Sequence, residues 1–212
     1  MLPAELAAMP LVAILRGVRP DEVVAVGDAI VDAGFRVLEV PLNSPQPLDS
    51  IARLAKRFGS TCLVGAGTVM TATQVAGVAA AGGRLIVMPH ADTEVIRAAA
   101  QADLVCMPGV ATVTEAFAAI AAGASALKAF PGTQVTPDVL HAWRAVLPRD
   151  MAVLPVGGVT PETMAVYTAA GAAGFGIGSA LYKPGRSIEE IATAAARFVA
   201  AWRICSRNST AS

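Results

Sequence analysis

The 212 residues include three lysines, and one of them sits where a lysine is out of place. Lys56 lies in "DSIARLAKRFG", an amphipathic helical pattern, and belongs to a solvated helix face. Lys183 lies in a Pro/Gly loop. Lys128 lies in "ASALKAFPG", flanked on both sides by apolar residues in a strand-like run. Residues of one parity share a strand face, so Ala124, Ala126, Lys128 and Phe130 point one way and Leu127 and Ala129 the other. Small residues leading up to the lysine leave room for its stem. An ammonium in apolar surroundings is costly, and the group responds by lowering its pKa. An amine that is neutral near pH 7 is the nucleophile that condenses with a ketone to form a Schiff base. The bland alternative is a lysine that snorkels out of the strand end or pairs with a carboxylate.

Glu39 is the matching anomaly. It sits in "RVLEVPL", with Leu38 and Val40 directed to the opposite face. A carboxylate in such surroundings has a raised pKa and can move protons near neutrality; a structural salt bridge is the competing reading. Arg16 ends the run "LVAILRG" just before Gly17. Its planar fork can hold a carboxylate through two bonds, although a surface arginine at a strand exit would look the same.

Glycines supply a third kind of chemistry. "LPVGGVTPE" offers Gly157 and Gly158, with Thr160 expected as a helix N-cap and Pro161 at the first helical position. "GFGIGSALY" offers Gly176, Gly178 and Ser179. Backbone amides near helix N-termini bind anions, so both segments are candidate phosphate loops; close strand–helix packing is the alternative. "GAGTVM" lacks the third glycine and the downstream acid of a dinucleotide fingerprint. Its expected role is close backbone approach to a small substrate, with the Thr68 hydroxyl as a donor. Pro89 and His90 close a further strand, and Pro89 is counted among the substrate-binding residues. His141 falls in "PDVLHAWRAVLP" as a helix surface or packing residue, and no His/Cys/carboxylate cluster has metal spacing. Neither a metal nor a cofactor is expected.

These residues need a scaffold. Short apolar runs near 11–16, 36–41, 62–66, 84–88, 103–107, 125–130, 152–156 and 174–177 alternate with helical stretches, the last of them at 187–204. Strands alternating with helices of this length imply parallel βαβ units, and eight such units predict a single α/β domain over 1–204, a (β/α)8 TIM barrel. An open doubly wound sheet is the runner-up. "DAGFRVLEV", "AAGGRLIVM", "AAGASALKAF" and "AAGAAGFGIG" open four strands in one way, with Gly34, Gly82, Gly123 and Gly171 at the expected left-handed helix ends. Residues 205–212, small and polar, are expected to fray. At the C-terminal ends of barrel strands, where active sites lie, a catalytic reading of Lys128 gains on the bland one.

Composition narrows the partners. Hydrophobic residues make up 55% and charged residues 15% of the chain, which implies a large buried core and a buried subunit interface. Sixteen basic residues balance sixteen acidic ones, so there is no basic footprint for nucleic acid and any anion site must be local. The apolar run from Pro10 to Leu15 is too short for a membrane span. Cys62, Cys106 and Cys205 are far apart and read as buried thiols in a reducing cytoplasm.

Taken together, these segments resemble the KDPG/KHG aldolase family. The resemblance runs through "ILRGV", "LEVPLNSP", "GAGTV", "PGVATVTEA", "ALKAFP", "VGGVTPE" and "GIGSALY", and covers nearly all of residues 10–203. It implies a metal-independent class I aldolase and a homotrimer, with a phosphorylated 2-keto-3-deoxy sugar acid as substrate. It also implies Lys128 as the Schiff-base lysine, Glu39 as proton donor and acceptor, and Arg16 and Thr68 on the pyruvyl end. Gly157, Gly158, Gly178 and Ser179 would hold the phosphate. The pattern is most similar to the branch that cleaves 2-dehydro-3-deoxy-6-phosphogalactonate, in galactonate degradation. The branch acting on the gluconate epimer carries arginine at the place of Asn43 and often threonine at that of Val156, which would lie beside the substrate C4 hydroxyl. A gluconate-type or hydroxyglutarate aldolase is the nearest alternative. An isomerase or a noncatalytic sugar-phosphate binder is the alternative from another class. Gly132-Thr133 departs from the family pattern in a variable loop.

Overall fold

A computed structural model describes residues 3–209. The strands are β1 (Leu11–Ile14), β2 (Val37–Pro41), β3 (Leu63–Gly67), β4 (Leu85–Val87), β5 (Val105–Met107), β6 (Gly109–Val110), β7 (Leu127–Ala129), β8 (Val153–Pro155) and β9 (Phe175–Ile177). The helices are α1 (Ala4–Ala8), α2 (Val23–Ala33), α3 (Pro47–Phe58), α4 (Ala72–Ala80), α5 (Thr93–Gln101), α6 (Val113–Ala121), α7 (Pro137–Arg144), α8 (Met164–Ala169) and α9 (Ile188–Ser209). Each expected strand is found within two residues of its anticipated place. The fold is α/β, with all strand pairs parallel.

The strands divide into a six-stranded sheet in the order β5-β4-β3-β2-β1-β9 and a three-stranded sheet β6-β7-β8. The fifth expected strand is therefore two pieces. Pro108, which has no amide hydrogen to donate to the ladder, separates β5 from β6. β5 pairs with β4, while β6 pairs with β7. A lone parallel bridge joins Val156 to Gly176, beyond the end of β8.

Alternation along the strands sorts the core into two layers. Val12, Val37, Leu63, Leu85, Met107, Ala126, Ala152 and Leu154 form one cluster with Leu6 of α1. Their neighbours of opposite parity, such as Leu38, Val64, Ile86, Cys106, Leu127 and Val153, join a second, larger cluster with the helices. A period of two switches a side chain from one layer to the other. At the helix ends, Gly171 follows α8 with φ 98°, which a side chain would strain.

Two expectations change. Thr160 does not cap a helix, because residues 161–163 form a turn and α8 begins at Met164. Thr163 Oγ donates to the Thr160 carbonyl at 3.0 Å and accepts from its amide at 3.0 Å, and so stitches that turn together. Nor does the chain fray at Cys205. α9 continues to Ser209, with Cys205 buried against the outer core; the remainder of the expected tail, 210–212, lies outside the described residues. Among the described residues no helix is long and apolar enough to cross a membrane.

The inner cluster predicts a stability effect. Leu154→Ala is expected to cost about 2–5 kcal/mol, read from urea unfolding as a lower midpoint with an unchanged slope.

Candidate active site

Lys128 sits in the middle of β7, paired with Gly109 on one side and Leu154 on the other. Its amide donates to the Pro108 carbonyl at 2.9 Å. Glu39 sits in β2 between Ile14 and Gly65. Both side chains therefore leave rigid strands flanked by two neighbours. Only 7% of Lys128 and 2% of Glu39 is exposed.

Neither group is neutralised by contact. Among the described residues neither forms a salt bridge, and Glu39 Oε2 is buried with no hydrogen-bond partner. Burial lifts the Glu39 carboxyl from 4.5 to about 7, against the opposing pull of the Lys128 and Arg16 charges. Burial likewise lowers the Lys128 pKa; Glu39 opposes this and Arg16 adds to it. Desolvation outweighs mutual attraction at both groups, so an acid and an amine both exchange protons closer to neutrality. The Lys128 nitrogen lies over the Phe130 ring, 4.5 Å from its centroid.

Above them opens a cavity of about 490 Å³. Arg16, Thr68, Pro89, Lys128, Val156, Gly157, Gly158, Gly178 and Ser179 all line it. Of the site residues expected from sequence, Glu39 alone is not on the wall. Its carboxylate packs against Gly67, where any Cβ would fall on it. This revises the reading of "GAGTVM": Gly67 makes space for the acid, and Gly65 lets β3 approach the Leu85 backbone. Thr68 follows with φ 56°, a left-handed conformation rare for a β-branched residue and of the kind retained where function demands it.

At one side of the cavity, Arg16 Nη1 donates to Asn43 Oδ1 at 2.8 Å. The next amide, Gly17, donates to Ser44 Oγ at 2.9 Å. The loop after β2 thus pins the corner after β1. At the other side, Gly157 and Gly158 have φ 102° and 72°. Gly176 leaves space for the Val156 side chain, since a Cβ there would come 2.6 Å from Val156 Cγ2.

Two basic residues on this wall escaped the sequence reading: Lys183 and Arg186. Arg186 Nη1 donates to the carbonyls of Ala180 and Leu181 at 2.9 and 2.8 Å, which fixes the guanidinium against the turn after β9. The signal was present in "YKPGR", two cations just past a candidate phosphate loop. His90 does not line this cavity, and its Nδ1 is buried without a partner. Among the described residues no cluster of three His, Cys, Asp or Glu could hold a metal ion.

The KDPG and KHG aldolase family model matches residues 3–194. The chain belongs to that family. It is an aldolase, a carbon–carbon lyase. It is 50% identical over 195 residues to the 2-dehydro-3-deoxy-6-phosphogalactonate aldolase of Escherichia coli K12, covering 92% of this chain and 95% of that protein. It is 49% identical over 193 residues to a relative in Rhizobium meliloti 1021 named for the same activity, covering 91% of each. A solved structure titled "Native KDPGal structure" superposes with a TM-score of 0.92 at 49% identity, covering 94% of this chain and 97% of that one.

The raised Glu39 pKa carries a stability cost of known sign. Below pH 4.5 the acid is neutral in both folded and unfolded chains, so it contributes no difference. Between 4.5 and about 7 only the unfolded chain ionises it, which favours unfolding progressively and levels off above, at on the order of 3 kcal/mol. Glu39→Gln should therefore stabilise the fold at pH 8 and leave it nearly unchanged at pH 4, as read by urea unfolding at the two values.

Proposed function

We propose that the chain is a class I aldolase cleaving 2-dehydro-3-deoxy-6-phosphogalactonate to pyruvate and D-glyceraldehyde 3-phosphate. One observation carries the reading: a buried amine on the cavity wall and a buried acid behind it act on each other electrostatically, and neither is in a salt bridge.

Neutral Lys128 attacks the C2 ketone, and the oxygen takes a proton from protonated Glu39 to give a carbinolamine. Loss of water leaves a cationic iminium, which acts as the electron sink. Glu39, now a carboxylate, removes the C4 hydroxyl proton directly or through a water. The C3–C4 bond breaks, its electrons form an enamine, and glyceraldehyde 3-phosphate departs. Protonation at C3 and hydrolysis then release pyruvate and free Lys128. Arg16 and Thr68 hold the pyruvyl carboxylate. Gly157, Gly158, Gly178 and Ser179 hold the phosphate, with Lys183 and Arg186 supplying the local positive charge that a chain of zero net charge does not supply globally. Pro89 forms the apolar wall. Val156 meets the C4 region with methyl groups alone, an apolar contact that discriminates by about 1–3 kcal/mol. The 50% identity to the galactonate-type relative supports that epimer over the gluconate one.

The same reading takes the chain to be a single domain over 1–204 whose two sheets close into one eight-fold barrel. The Val156–Gly176 bridge spans one seam, with the Ala173 amide on the Val153 carbonyl at 3.0 Å. The Ser125 amide on the Cys106 carbonyl at 2.9 Å spans the other, and both sheets fill one inner cluster. The assembly proposed with it is the homotrimer that the family resemblance implies, and exposed Leu48, Met70, Phe117, Val146 and Val166 offer apolar surface for subunits to cover. Three unpaired thiols favour the cytoplasm.

Borohydride reduction with pyruvate should leave a stable adduct on Lys128, located by peptide mass. Lys128→Met should leave no adduct and lower kcat by on the order of 10³ or more. A wild-type protein without an adduct would indicate an isomerase or a binder. Activity should survive chelation and favour the galactonate epimer in parallel assays. Arg16→Lys, which loses the fork but keeps the charge, should reduce kcat/KM by about 10- to 100-fold, mostly through KM for the pyruvyl substrate.

A further inference from the structure

The mechanism turns on a nitrogen that begins neutral and becomes cationic, yet no carboxylate is bonded to it. Glu39 is the one acid that acts electrostatically on Lys128, and it must change protonation state during the same cycle, while Arg16 opposes positive charge there. Lys183 and Arg186 share the cavity wall and are cations too. A repelling arginine and one part-time anion leave the iminium short of a fixed counter-charge.

The group that does face the nitrogen is aromatic. Phe130 is two residues past Lys128 on the same strand parity, and its ring centroid lies 4.5 Å from Lys128 Nζ. The ring lines the cavity. Its far edge meets the phosphate-side loop, where a Cβ on Gly157 would come 3.9 Å from Phe130 Cε2. Phe130 is therefore held between the reacting nitrogen and the Gly157 turn. The face of an aromatic ring carries negative quadrupole density and attracts a cation within about 6 Å, most strongly where water is scarce. A ring also cannot take a proton, so it stabilises the iminium without holding Lys128 as a salt-bridged ammonium.

We propose that Phe130 is a catalytic residue of this enzyme, its ring face acting as the permanent counter-charge to the cationic nitrogen formed on Lys128. The proposal rests on Lys128 being the imine-forming amine. Condensation breaks one N–H bond and the C=O bond and forms C=N; the oxygen leaves as water with that proton and one from Glu39, and the positive charge so gained lies on the nitrogen against the ring.

The test is a series at one position: Phe130→Tyr, Phe130→Leu, and phenylalanines with increasing ring fluorination. Fluorine drains the negative face at nearly constant shape. Each variant is first compared with the wild type by thermal unfolding. The fraction trapped by borohydride at fixed pyruvate and the acid limb of the kcat/KM profile are then measured. The imine equilibrium should fall by about 2- to 30-fold in Phe130→Leu, step down with each fluorine, and be retained in Phe130→Tyr. The acid limb should move to lower pH in the same order, because the ring also supports the ammonium. Trapping and limb position that do not follow fluorination would overturn the proposal and leave Phe130 as packing. A wild-type protein that is not trapped at all would instead sink the Schiff-base reading beneath it.

Discussion

The structure depends on keeping one amine and one carboxylate out of water without letting them pair. A direct salt bridge would hold Lys128 as an ammonium and Glu39 as a carboxylate, and both would be inert near pH 7. Here desolvation is the largest effect on each, so the acid is lifted to about 7 and the amine is lowered. Such a balance survives only if the groups cannot move toward each other or toward solvent. Strands flanked on both sides provide that rigidity, and the missing side chain at Gly67 gives the carboxylate its pocket.

The geometry around this pair follows from period-two alternation on parallel strands. The same register that sends Leu127 and Ala129 outward to the helices sends Lys128 inward. Helices that cover one face make the strands apolar there, and the inner face is then left to a few chosen residues. The polar wall is assembled from the loops that follow β1, β3, β8 and β9. Two of these loops are tied by arginines, the first by Arg16 to Asn43 of the loop after β2 and the last by Arg186 to the Ala180 and Leu181 carbonyls of its own turn.

Much of this was legible in the sequence because it is written in parity and in glycine. Lys128 and Glu39 stood out as charges on the inner parity of apolar runs, and both are buried there. Gly34, Gly82, Gly123 and Gly171 marked helix ends, and all four have positive φ. What escaped depends on single hydrogen bonds or on distant neighbours. Pro108 interrupts a strand whose two halves pair with different partners, which no local pattern reveals. Thr163 takes over the turn expected to be capped by Thr160 through two bonds of its own hydroxyl. Gly67 serves a carboxylate on another strand, and the Thr68 backbone angle has no residue-type signature. Arg186 is held at the cavity by two carbonyls, a placement that the cations of "YKPGR" hint at but do not fix.

The inner layer described above is stratified. Val12, Val37 and Leu63, in register across β1, β2 and β3, fill one level with hydrocarbon, and Glu39 and Lys128 stand two residues further along their strands than Val37 and Ala126 of that inner cluster. Cohesion and reactivity thus reside at different heights along the strands. Drift in the lower level is bounded by volume alone, and drift in the upper level by geometry and charge. A fold divided in this way can change a cavity-wall residue such as Val156 while the material that keeps it folded stays untouched.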